Sequence, residues 1–188
     1  LFFRNEEADF LASSAGFLTA DPKRTRELRK KLSLGSPEQI IGISWRSENA
    51  KSGAMRTLEL EAFLKPLAQK GVRFVNLQYG DTAQEIARAC QNLGVDIVDI
   101  AEIDNFIDID DLAALMSACD KVISSANATV HLAGALSKET HVLLPKICDW
   151  RWQTERSDSL WYQSVKLYRQ KELGRWDDVL DNIASHIR

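Results

Sequence analysis

The chain has 188 residues, 45% of them hydrophobic and 27% charged, with 24 Lys and Arg against 27 Asp and Glu. One sizeable core is affordable at this length, and a net charge of −3, with both signs spread along the chain, leaves no basic face to mark a nucleic-acid ligand. No apolar run approaches a membrane span and no charged-then-apolar start resembles a signal peptide, so a cytoplasmic protein is expected.

Residues 1–20 have weak periodicity and read as a connecting segment, with the globular domain expected over 21–188. A helix starts at Asp21-Pro22 and stops by Gly35, with a very basic face read first as solvated. A buried strand follows at 39–45, then a polar loop at 46–56 and a helix from Thr57 closed by Gly71. Residues 72–78 form a second strand. The next helix has Thr82 and Glu85 spaced as a capping box and Gly94 as its stop. A third strand at 95–100 leads to a helix over 108–120 with acids in its first turn, where the macrodipole favours them. Residues 121–125 form the fourth strand, 127–137 a helix, 140–145 the fifth strand, 164–170 a sixth, and 175–187 a last amphipathic helix.

This alternation predicts an α/β fold, a Rossmann-like doubly wound parallel sheet whose strands are apolar throughout because both faces are covered. Ligands of such sheets lie beyond the carboxyl ends of the strands. The loops there lack G-x-G-x-x-G, the P-loop pattern, a G-x-S-x-G elbow and any histidine pair at metal spacing. Cys90, Cys119 and Cys148 share no short spacing and are expected to be buried, reduced thiols. Four tryptophans, Trp150, Trp152, Trp161 and Trp176, cluster after the fifth strand and are expected to pack the last helix onto the sheet.

What the loops share is cations, hydroxyls and helix amino termini. The first has Arg46, Lys51 and Arg56; the fourth has Ser124, Ser125, Asn127 and Thr129 at the start of a helix, with His131 on its first turn. A helix amino terminus has unpaired donors and partial positive charge, which suits a phosphate. The backbone N–H groups of Asn127, Ala128 and Thr129 are the expected donors, with the serine hydroxyls completing the cradle. Two readings stand beside each other here: a diphosphate clamp, or a helix simply capped by Asn127 with solvated arginines and a packed histidine.

The segment "VISSANATVHLAGALS" before "HVLLP" resembles the D-x-x-x-x-H-L-x-x-A-L-G signature of heptosyltransferase-like glycosyltransferases of the GT-B fold. "LQYGDTAQEIARA" resembles the second signature of that family, and "ISWRS…MRTLELEAFLKPL" its first strand, phosphate-side loop and helix. The tail from Asp149 is similar to bacterial glycosyltransferase-like proteins that carry tetratricopeptide repeats ahead of the transferase part.

That resemblance implies the carboxyl-terminal, donor-binding half of a metal-independent GT-B glycosyltransferase, needing no cofactor and taking a nucleoside-diphosphate sugar, UDP being the first guess. It implies a donor site made from Arg46, Arg56, Gln78, Gly80, Glu85, Ser124, Ser125, Asn127, Thr129 and His131. Arg56 and His131 would reach the diphosphate, and Glu85 the nucleoside. The partner would be an amino-terminal acceptor domain, or tetratricopeptide repeats, of the same polypeptide, and the general base would come from outside this chain. Where relatives have Asp before the helix, this sequence has Ala126, which keeps open a non-catalytic binding or scaffold module that retains the fold.

Overall fold

In a computed structural model, residues 10, 16–49 and 51–187 are described; most of the expected connecting segment lies outside them. Six strands, β1 (Gln39–Ser44), β2 (Val72–Asn76), β3 (Asp96–Val98), β4 (Lys121–Ser125), β5 (Thr140–Leu144) and β6 (Val165–Arg169), form one sheet in the order β3-β2-β1-β4-β5-β6. Every pairing in it is parallel. The helices α1 (Pro22–Leu32), α2 (Leu60–Leu64), α3 (Ala83–Leu93), α4 (Ile109–Ala118), α5 (Ala128–Ala135) and α6 (Asp177–His186) cover both faces. This is the doubly wound Rossmann-like architecture expected from the alternation.

Burial on both faces follows from alternation along each strand. Ile41 and Ile43 of β1, Phe74 of β2 and Ile123 of β4 join the core that holds α2 and α6. Ile40, Val75 and Val122 join the opposite core with Leu28 and Leu32 of α1 and Leu112, Leu115 and Met116 of α4. Gly42 is required by close approach: a Cβ there would lie 2.5 Å from Leu77 Cδ1 and 3.3 Å from Cys119 Sγ.

Local chemistry explains most element ends. The Asp21 carboxylate accepts from the Arg24 amide at 2.8 Å, and Pro22 opens α1. The basic face of α1 is less solvated than expected, because Arg24 bonds Asp111 of α4 at 2.6 Å and Arg29 reaches Asp120 at 2.8 Å. Helix α2 is shorter than the pattern predicted. Its expected first turn stays extended, with the Leu58 amide on the Trp45 carbonyl, and Pro66 follows closely. The capping box at Thr82 and Glu85 does not form: Thr82 makes no side-chain cap and instead accepts from Asn76, while Glu85 is drawn to Trp45 and Arg46.

The cysteines are all free, but only Cys119 is buried, its thiol pushed up to about 12 by burial. Among the described residues no helix is long and apolar enough to cross a membrane.

Candidate functional site at the switch point of the sheet

The strand order reverses between β1 and β4, whose ends are in register, Ser44 opposite Ser124. Chain connections leave this point in opposite directions, which opens a crevice beyond the strand ends. Asn127 ties its two lips together. Its Oδ1 accepts from the Thr129 amide at 3.0 Å and from Ser124 Oγ at 3.2 Å; its Nδ2 donates to Ser44 Oγ at 2.7 Å and to the Arg46 carbonyl at 3.0 Å. Ser44 in turn donates to Gln78 Oε1 at 2.9 Å, which also accepts the Trp45 and Arg46 amides.

Beside that lattice lies a cavity of about 680 Å³, within the range that holds small ligands. Its lining includes Arg56, Asn127, Ala128, Thr129 and His131, the last part of the expected site, together with Asp149 and Trp152. Arg56 reaches across from the β1 loop and donates to the Ala126 carbonyl at 3.1 Å. It makes no ion pair among the described residues, so most of its guanidinium is left to the cavity. The larger cavity, about 1050 Å³ between α2 and α6, is lined by three carboxylates, Glu59, Asp177 and Asp181, against one cation, Lys65, whereas in the smaller one Arg56 and Arg151 balance Glu48 and Asp149. Carboxylates there oppose an anionic ligand, so the smaller cavity is the better candidate.

His131 stacks on Trp152, with ring centroids 5.3 Å apart and planes 19° apart, and its Nδ1 lies 3.1 Å from the Tyr162 hydroxyl. Burial, and then the nearby cations Arg151 and Arg56, push its imidazole below the ordinary value despite Asp149, so the ring is neutral at pH 7. Asp149 caps the short 3-10 turn Trp150–Trp152 and pairs with Arg151 at 2.7 Å. Burial works against its charge, yet the Arg151 hydrogen bonds and the Arg56 charge hold its carboxyl below the usual range. With Asp149 neutralised by Arg151, Arg56 is the cation available for a ligand.

The other expected residues are placed differently. Ser124 and Ser125 are fully buried, as strand residues covered on both faces must be; the single Ser124 hydroxyl proton is shared between Asn127 Oδ1 and the Ser125 carbonyl, the latter at 2.8 Å. The cap itself takes the Thr129 amide, and the Ser125 carbonyl takes that of Asn127 at 2.8 Å, so that among the described residues the Ala128 amide is the open one of the three expected donors. Arg46 turns away to an ion pair with Glu85 and to the Asp81 carbonyl at 3.0 Å. Glu85 also accepts from the Trp45 indole at 2.7 Å. Gly80, at φ 83°, sits against Arg46 and Glu48 in the same cluster. Arg46, Gly80 and Glu85, with Gln78, form a buttress behind the first loop.

Asp149, Arg151, Trp152 and Tyr162 were missed as site residues. Asp149 two residues before Arg151 is a readable cap signal, but the four tryptophans were assigned to packing as a group. Trp176 does pack against the core beside α6, whereas Trp152 lies under His131 and Trp150 is exposed.

The fold resembles that of solved GT-B glycosyltransferase domains. The chain superposes on the glycosyl transferase family 9 structure from Veillonella parvula DSM 2008 with a TM-score of 0.59 at 12% identity, over 85% of this chain and 44% of that one. It superposes on E. coli ADP-heptose lps heptosyltransferase II with a TM-score of 0.62 at 13% identity, over 90% of this chain and 51% of that one. In sequence it is 36% identical over 173 residues to Protein FlbA of Caulobacter vibrioides (strain ATCC 19089 / CIP 103742 / CB 15), covering 92% of this chain but 29% of that protein. The chain thus spans about half the length of these structural relatives and less than a third of FlbA. No protein-family model matches it.

Proposed function

We propose that this chain is the donor-binding half of a GT-B glycosyltransferase, holding the diphosphate of a nucleotide sugar in the cavity at the switch point. The observation that carries the reading is Arg56, a cation without an ion pair among the described residues, delivered to the Ala126 carbonyl at the amino end of α5, with His131 on the same wall. An anion there meets a guanidinium, the open Ala128 amide and the positive end of a helix together. In transfer, an acceptor oxygen bonds to the anomeric carbon as the bond to the β-phosphate breaks. The charge left on the diphosphate is then stabilised by those groups.

UDP remains the first guess for the nucleotide, and ADP is the alternative suggested by the heptosyltransferase likeness. The acceptor and its general base are assigned to the rest of the parent polypeptide, an acceptor domain or tetratricopeptide repeats, in the cytoplasm. Met55, Phe106, Ile107 and Trp150, exposed on three loops at the carboxyl edge, support a covered edge in that larger protein. A melting titration tests the reading. A nucleoside diphosphate at about a hundred times its dissociation constant should stabilise the chain by about 2.7 kcal/mol. If millimolar UDP, ADP and GDP all leave the curve unchanged, the donor-site reading is lost.

Ala126 favours a second reading, a binding module without turnover. It puts a methyl group where related enzymes would place a carboxylate, and its carbonyl is the group Arg56 holds. Transfer by the full parent protein excludes this reading; nucleotide binding without transfer supports it.

A further inference from the structure

Tyr162 has a place in the site that none of the sequence motifs suggested. Its hydroxyl and His131 Nδ1 are each other's hydrogen-bond partners, 3.1 Å apart, and neither polar atom has another partner among the described residues. The phenol ring is fixed from below by Gly134, one turn beyond His131 on α5, where a Cβ would lie 2.4 Å from Tyr162 Cγ. Phe17 stacks on it, with centroids 6.2 Å apart and planes at 24°. The imidazole is likewise held by the buried Trp152. Both rings are therefore set by packing, and their shared hydrogen bond is the one polar contact between them.

We propose that Tyr162 is a positioning residue for His131: its phenol donates to Nδ1 and so fixes the imidazole as the Nε2–H tautomer, presenting that N–H to the cavity. Chemistry sets the direction of the bond. A phenol, with an ordinary pKa of about 10, donates far better than a neutral imidazole N–H, and an imidazole nitrogen accepts far better than a phenol oxygen. Burial pushes the Tyr162 hydroxyl up, so it keeps its proton. A neutral imidazole whose Nδ1 accepts must carry its proton on Nε2, the nitrogen that has no hydrogen-bond partner among the described residues. The charged groups around it are Arg56, Arg151 and Asp149, and Asp149 is already engaged by Arg151. The use of that N–H towards an anion rests on the diphosphate reading; the tautomer does not.

The test is long-range proton–nitrogen correlation spectroscopy on the whole chain labelled with 15N-histidine at neutral pH. The wild type should show a protonated Nε2 and a bare Nδ1 at His131. Tyr162→Phe keeps the ring on Gly134 and removes only the oxygen, so the ratio of Nε2–H to Nδ1–H tautomer should fall roughly fivefold. A wild type protonated at Nδ1, or a variant with the wild-type ratio, overturns the assignment. If the variant does not fold, the wild-type spectrum still overturns the assignment when Nδ1 carries the proton, and a Tyr162→Trp variant, which likewise keeps a ring and removes the hydroxyl, gives the comparison. Titration with inorganic pyrophosphate is read separately: a tautomer shift without pyrophosphate binding supports the role of Tyr162 while removing the diphosphate reading.

Discussion

Two arginines in the first loop look equivalent in the sequence and are opposites in the structure. Arg46 is satisfied by Glu85 and by backbone carbonyls, whereas Arg56 has a single carbonyl partner among the described residues and lines the cavity. Arg56→Gln should therefore weaken nucleoside diphosphate binding about ten- to a hundredfold, the worth of a hydrogen bond to a charged group, with little loss of stability. Arg46→Gln should do the reverse, because it strands the Glu85 carboxylate beside the buried Trp45 indole. Calorimetric titration and urea denaturation of both variants check this. Equal affinities for wild type and Arg56→Gln would remove Arg56 from the site. His131→Ala is expected to weaken binding over a similar range, since a neutral N–H still makes a charge-assisted bond to phosphate. Its effect on stability should be smaller than that of a core truncation, the ring being only half-buried.

At the scale of elements, the site depends on how closely β1 sits against its neighbours. Gly42 lets Leu77 and the Cys119 thiol close over that strand, and β1 carries the loop with Arg56. Gly42→Ala should cost about 1–3 kcal/mol through overpacking. Denaturant midpoints measure it; a neutral effect would mean that Leu77 has an alternative rotamer free to retreat. The failed capping box belongs to this scale too. Thr82 and Glu85 have the right spacing, but Trp45, Arg46 and Asn76 compete for them, and those bonds cross between elements. Capping spacing predicts a helix start well, yet it does not say which partner a side chain takes when a strand end is nearby.

For the whole molecule, acid sensitivity follows from its buried imidazoles. His141 of β5 is fully buried, between the Tyr168 hydroxyl at 2.9 Å and Glu139 at 3.1 Å, and burial pushes its pKa below the ordinary value although Glu139 opposes this. His131 is displaced in the same direction. The unfolded chain then binds protons near pH 6.5 that the folded chain refuses. Stability is fully present above about pH 6.5 and is lost as pH falls from there through the lowered folded values. Denaturation at pH 7.5 and 5.5 should show that loss, and His141→Asn should flatten it. A chain equally stable at both values would contradict the placement of His141.

The sequence by itself determined the class of fold and pointed to the strand ends as the place to look for a candidate site. Apolar strands at 39–45, 72–78 and 121–125, separated by amphipathic stretches with glycine stops, admit a parallel sheet and little else. The sheet's chemistry then lies beyond the strand ends, where Asn127, Thr129, His131 and Arg56 stand. These are local signals, carried by hydrophobic period and caps within a dozen residues. Only the tertiary structure decided which polar side chains face a ligand and which hold the scaffold. Trp45 finds Glu85 forty residues away, Asn127 finds Ser44 across eighty-three, and Arg56 finds Ala126 across seventy. The first pair meets because β2 lies next to β1 and the other two because β4 lies on its other side, adjacencies set by packing of both faces rather than by any nearby residue. Burial of Ser124 and Ser125, the stacking of Trp152 under His131 and the bond from Tyr162 have the same origin. Each depends on a neighbour that the chain supplies from a distant element.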